Sequence, residues 1–86
     1  MSPRFAHLYF MKDDPDRIRA TVASHVAHWQ QQRLPGYLGG PFQDRTGGLI
    51  TFQAEDVEHA RHAVDTDPFM QEGLLEAHWL KQWMPQ

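Results

Sequence analysis

The chain has no cysteine among its 86 residues. That excludes a disulfide framework, a thiolate nucleophile and a thiolate metal site. No apolar run approaches the roughly 18 residues of a membrane span. Met1–Arg4 leads straight into a strand-like segment without a signal-peptide pattern, so a soluble, cytoplasmic protein is expected. A basic surplus is missing too: 8 Lys and Arg stand against 11 Asp and Glu, a net charge of -3. Nucleic acid is therefore not an expected partner. Repeats, low-complexity tracts and linkers are also lacking, so residues 1–86 read as a single domain. What is present is a globular composition, 41% hydrophobic and 12% aromatic, which sets disorder aside. A domain this small buries only about 60% of its unfolded surface, and self-association is expected. The unusual count is histidine, with six.

Arg4–Lys12, rich in aromatic and apolar residues, predicts a strand. Asp14 then reads as a helix N-cap, Pro15 as the first helical position and Asp16 as first-turn acid. The spacing predicts a helix from Asp16 to about Gln32, with Ile18, Val22, Val26 and Trp29 facing inward. Pro35-Gly36 breaks it. Tyr37–Phe42 reads as a short strand, Arg45-Thr46-Gly47-Gly48 as a turn and Leu49–Ala54 as a strand. Glu55 and Asp56 open a second helix running to about Thr66, its inner face Val57, Ala60 and Val64. A helical turn at Phe69–Gly73 precedes a last strand at Leu75–Trp83.

This order, strand–helix–strand–strand–helix–strand, is the ferredoxin-like α+β arrangement: a four-stranded antiparallel sheet with both helices on one face. Along the last strand Ala77, Trp79, Lys81 and Trp83 alternate with His78, Leu80, Gln82 and Met84. Both faces thus carry large apolar groups, and the chain is too short to cover the second. A homodimer joined through the open sheet faces, forming an α+β barrel, is expected.

Successive helical residues turn by about 100°. With Ile18 at zero, Val22 lies near about +40°, Val26 about +80°, Trp29 about +20° and His25 about -20°. His25 therefore sits inside the apolar stripe. His28 falls near about -80° and Arg17 near about -100°, on one flank. A buried imidazole needs a partner for its ring N–H, and a carboxylate would orient the ring and raise its basicity. His59 and His62 have a spacing that suits a metal, but they lie away from Val57, Ala60 and Val64. A solvated face is their reading, and structural zinc usually takes cysteine. No metal and no cofactor is expected. His7 and His78 are assigned to outer strands and left without a role.

Gly39-Gly40-Pro41-Phe42, Asp44, Gly47-Gly48, Glu55-Asp56, Ala60, Asp67-Pro68-Phe69, Gly73-Leu74 and Trp83 form an ordered set. With the helix segment His25–Trp29, the set resembles the YciI-like (YCII-related) family over nearly the whole chain. The resemblance implies a ferredoxin-like fold, a homodimer and a His–Asp dyad, here His25 and Asp67, with Pro68 fixing the backbone that aims Asp67. It further implies a lyase or isomerase of the kind that eliminates chloride from hydroxylated chloroaromatics, working without a cofactor on a small molecule. His25 would take a proton from a hydroxyl, Arg17 would stabilise the oxyanion, and Asp13 would orient Arg17. Two departures stand out. The segment between His25 and Gly39 is about two residues short, which leaves His28 as the alternative functional histidine. Gly47-Gly48 stands where some relatives place a serine, so the oxyanion donor would be backbone N–H or missing. The other readings are a non-catalytic ligand-binding or scaffold domain and a cofactor-free monooxygenase-like protein.

Overall fold

The computed structural model of the protein describes residues 2–86. The elements run β1 (Arg4–Met11), α1 (Pro15–Gln32), β2 (Leu38–Pro41), β3 (Gly47–Gln53), α2 (Val57–Asp65), the single turn α3 (Pro68–Gln71) and β4 (Leu75–Trp83). The strands form one sheet in the order β2-β3-β1-β4, and every neighbouring pair is antiparallel. This is the ferredoxin-like α+β fold. Among the described residues no helix is long and apolar enough to cross a membrane.

The helices start where short acidic side chains meet free backbone N–H groups. Asp14 caps α1 by accepting from the Arg17 N–H, and Pro15 occupies the first turn. Asp56 caps α2 through the His59 N–H, and Asp67 caps α3 through the Phe69 N–H. In each case the carboxylate satisfies a donor with no partner inside the helix. Helix α1 ends at Arg33 in the left-handed conformation, φ 51°, just before Pro35.

The core lies between the sheet and the helices. Phe5, Tyr9, Ile50 and Phe52 rise from the central strands to meet Trp29, Ala60, Ala63, Val64, Phe69 and Leu74. Alternation along β1 separates the faces: Phe5, His7 and Tyr9 are buried against the helices, whereas Ala6, Leu8 and Phe10 take the other face. Register puts Leu49 and Trp79 opposite Leu8, so these three share the face without helices. Trp79 and Trp83 there are 48% and 45% exposed, and Leu38 74%.

Several expectations are corrected. Val22 and Val26, placed inward by spacing, are 43% and 41% exposed. The buried face of α1 is centred on His25 and Trp29 instead, because the two valines border an open cleft rather than the core. On α2, Val57 is exposed and Ala63 buried. Gly47 and Gly48 are not turn residues but open β3. An added Cβ on Gly47 would lie 1.9 Å from the Tyr9 carbonyl oxygen, and one on Gly48 2.4 Å from the Tyr9 hydroxyl. Only glycine lets β3 pass the tyrosine there. His7 is not on an outer strand: β1 is central, and the imidazole is fully buried.

Candidate active site

Helix α1 and the chain before α3 bring together two side chains 42 positions apart. The His25 Nδ1 lies 2.9 Å from each carboxylate oxygen of Asp67. Asp67 is 1% exposed and also accepts from the Trp29 indole N–H at 2.9 Å and the Phe69 backbone N–H at 2.9 Å. Pro68 disfavours helix at the preceding residue, and Asp67 is extended accordingly, φ -61° and ψ 131°. Its carboxylate thereby points back at α1. Burial alone would push the Asp67 carboxyl up. The hydrogen bond and charge of His25, with the Trp29 and Phe69 donors, outweigh it and hold Asp67 below its ordinary value. A buried carboxylate is tolerable only when its lone pairs are met this fully.

Because Asp67 accepts, His25 donates from Nδ1, which leaves the Nε2 lone pair free. The ring is fixed by stacking on Phe69, centroids 4.0 Å apart and 14° between planes, and by the edge of Tyr9 at 5.9 Å. Among the described residues His25 Nε2 has no hydrogen-bond partner, and His25 lines a cleft.

That cleft, about 660 Å³, runs between α1 and the β2–β3–β1 side of the sheet. Such a volume suits a single small molecule. Its walls are mainly apolar, from Val22, Val26, Ile50, Tyr9, Tyr37 and Phe69, with Arg19, Arg45 and Gln30 as polar groups. No Asp or Glu among the described residues lines it. The Tyr9 phenol is pushed up to about 12, first by burial and then by the Asp67 charge, so it stays protonated. Tyr9 lines the cleft, and among the described residues its hydroxyl makes no hydrogen bond. A second cleft, about 710 Å³, lies between β2 and the end of β4 beside Arg4, Leu49 and Trp83, and does not reach His25.

The remaining expected site residues are placed elsewhere. Arg17 reaches away from the cleft, donating to the Glu72 carbonyl at 3.0 Å and pairing with Glu72 and Asp14 at 3.5 and 3.8 Å. It ties the start of α1 to the end of α3 and is not among the residues that line the cleft. Asp13 is exposed; the carboxylate partners of Arg17 are Asp14 and Glu72. His28 Nε2 donates to the Ala63 carbonyl at 2.8 Å and so fastens α1 to α2. His59 and His62 are exposed, and His59 Nδ1 donates to Asp56 at 2.8 Å. No group of three or more His, Cys, Asp or Glu side chains among the described residues is placed to hold a metal ion. Sequence reasoning missed Tyr9, Tyr37, Arg19 and Arg45. For Tyr9 a signal existed, since it alternates with the inward Phe5 and His7.

The chain resembles, in structure, the 5-chloro-2-hydroxyhydroquinone dehydrochlorinase TftG from Burkholderia phenoliruptrix AC1100, solved with 2,5-dihydroxybenzoquinone. The TM-score is 0.82 at 22% identity, covering 94% of this chain and 93% of that one. PA3566 from Pseudomonas aeruginosa gives a TM-score of 0.65 at 14% identity over 100% and 96% of the two chains. A putative antibiotic biosynthesis monooxygenase from Bacteroides thetaiotaomicron VPI-5482 gives 0.63 at 17% identity over 98% and 89%. At these identities the likeness is one of fold. No curated protein sequence matches significantly. The family model of the YCII-related domain matches residues 5–84, and the chain belongs to that family.

Proposed function

We propose that the protein is a lyase or isomerase that needs no cofactor and acts on a small hydroxylated ring compound, with His25 as general base. The observation that carries this is the His25–Asp67 contact at 2.9 Å beside a cleft that His25 lines. Asp67 fixes the tautomer and stabilises the imidazolium that forms on proton uptake. Nε2 removes the proton of a substrate O–H. The freed electron pair becomes a C=O bond, and the displaced ring π pair takes the proton back from Nε2 at a ring carbon; where that carbon carries a leaving group, removal of a second O–H proton then re-forms the ring double bond and expels the group with its bonding pair. The Tyr9 hydroxyl takes the role first given to Arg17, donating to the oxygen that carries the developing charge. Fold likeness to a dehydrochlorinase solved with a flat dihydroxyquinone supports the substrate class, as do the aromatic walls of the cleft.

A homodimer is part of the same reading. Leu49, Trp79 and Trp83 on the open face are each more than a third exposed, and a second copy of the sheet would cover them. Sedimentation of the purified chain at micromolar concentration should give twice the monomer mass.

The activity test uses 5-chloro-2-hydroxyhydroquinone and measures chloride released. Wild type and His28→Ala should turn it over, and His25→Ala should not while keeping the same sedimentation. Equal rates in His25→Ala and wild type would overturn the reading. Tight ligand binding without turnover of this or related ring substrates would favour a non-catalytic binding domain.

A further inference from the structure

We propose that Arg45 recognises an anion and that the ligand of the cleft is a hydroxylated ring carrying a carboxylate. The inference rests on the cleft beside His25 being the ligand site, and it names the substrate class more closely.

Arg45 lies in the β2–β3 connection with φ 65°, a left-handed conformation that favours Gly or Asn and is strained for a long side chain. The other such residue that is not glycine, Arg33, sits at the end of α1, where this conformation is the usual way to close a helix. Arg45 instead ends the β-turn that starts at Phe42, a place in a hairpin where glycine usually takes this conformation. Its conformation is held by its surroundings: the Asp44 carboxylate accepts from the Thr46 N–H at 3.0 Å and hydroxyl at 2.7 Å, and Arg45 N–H donates to the Phe42 carbonyl at 3.0 Å. The connection thus keeps an arginine in an unfavourable backbone state where that side chain lines the cleft.

Charge points the same way. Two arginines, Arg19 and Arg45, and no carboxylate residue line the cleft among the described residues. Arg19 is already paired with Asp16 at 3.3 Å, whereas the side chain of the exposed Arg45 makes no hydrogen bond or ion pair among the described residues. Asp67, the buried acid nearest the floor, is shielded behind His25 and has its oxygens filled by three donors. An unpaired guanidinium facing an apolar cleft is matched by a planar anion able to accept two parallel N–H bonds, which is a carboxylate. Ring and hydroxyl then lie against the aromatic walls and His25, with the acid group towards the β2–β3 connection.

The test compares two probes that differ only in the acid group, 2,5-dihydroxybenzoate and hydroquinone, titrated at pH 7 while tryptophan fluorescence is followed. Wild type should bind the acid about tenfold more tightly. Arg45→Gln should abolish that preference and leave hydroquinone affinity in place, and Arg45→Lys should restore part of it. Arg45→Gly should lose the preference while its melting temperature holds or rises, because the strained conformation suits glycine. Equal affinities in wild type, binding of neither probe, or a preference that survives in Arg45→Gln would overturn the proposal. The preference should persist in His25→Ala. Its loss there alone implicates His25, not Arg45, in holding the acid, and overturns the assignment. Chloride release without any preference would sink this inference alone, and a preference without turnover would sink the catalytic reading alone.

Discussion

His7 offers a quantitative check on the packing beneath the site. Its imidazole is fully buried between the central strand and Trp29. Nδ1 reaches only the Trp79 carbonyl, at 3.4 Å, and Nε2 has no partner. Burial pushes the ring down from 6.5 to about 4, against the smaller opposing effect of the Trp79 carbonyl. The unfolded chain therefore takes up a proton here near pH 6.5, and the native chain resists until about pH 4. Between those values the unfolded state holds the extra proton, so stability falls as the pH falls. The loss is about 1.4 kcal/mol per pH unit and about 3 kcal/mol in full. His7→Leu removes the titrating group and keeps an apolar side chain of similar size. Urea unfolding of both proteins at pH 7.5 and pH 5.0 isolates the effect, because every other titrating group cancels in the comparison. Wild type should lose about 2 kcal/mol more than the variant across that interval. Parallel losses would refute the assignment of His7 as a buried neutral ring.

Two further outcomes follow from the site. Asp67→Asn puts an amide NH2 among three donors, so urea unfolding should show a loss of about 3 kcal/mol, and any turnover should fall with it. Gly48→Ala forces a methyl group to within 2.4 Å of the Tyr9 hydroxyl and 2.7 Å of the Gly40 carbonyl. Thermal melts should report a cost of about 1–3 kcal/mol, and ligand affinity should drop as Tyr9 moves.

Where local chemistry decides the structure, residues announced it. Asp14-Pro15 and Asp56 each begin a helix as expected, since a cap needs only its own short segment. Helical geometry alone puts His25 on the inward face, and that position, in the buried face it shares with Trp29, is why it meets Asp67. Other features depend on what lies opposite. Val22 and Val26 look like core residues because an apolar wall and a core use the same side chains. Gly47-Gly48 resembles a turn, yet the reason for two glycines is Tyr9, opposite Gly48 in the register. His7 carries no mark of being central, because strand order is set by the whole sheet. Arg17 is legible on the His28 flank of the helix that carries His25, whereas Arg45 reads in the sequence only as part of a turn. Only the folded connection between β2 and β3 brings the distant arginine to the cleft.

The central claim is that Asp67 holds His25 with its proton on Nδ1 and a free lone pair at Nε2, facing the cleft. Long-range 1H–15N correlation of the histidine rings at neutral pH measures this directly. In wild type the His25 ring should show the Nδ1–H tautomer, and Asp67→Asn should disturb it. An Nε2–H tautomer in wild type, or a His25 spectrum indifferent to Asp67→Asn, would contradict the account.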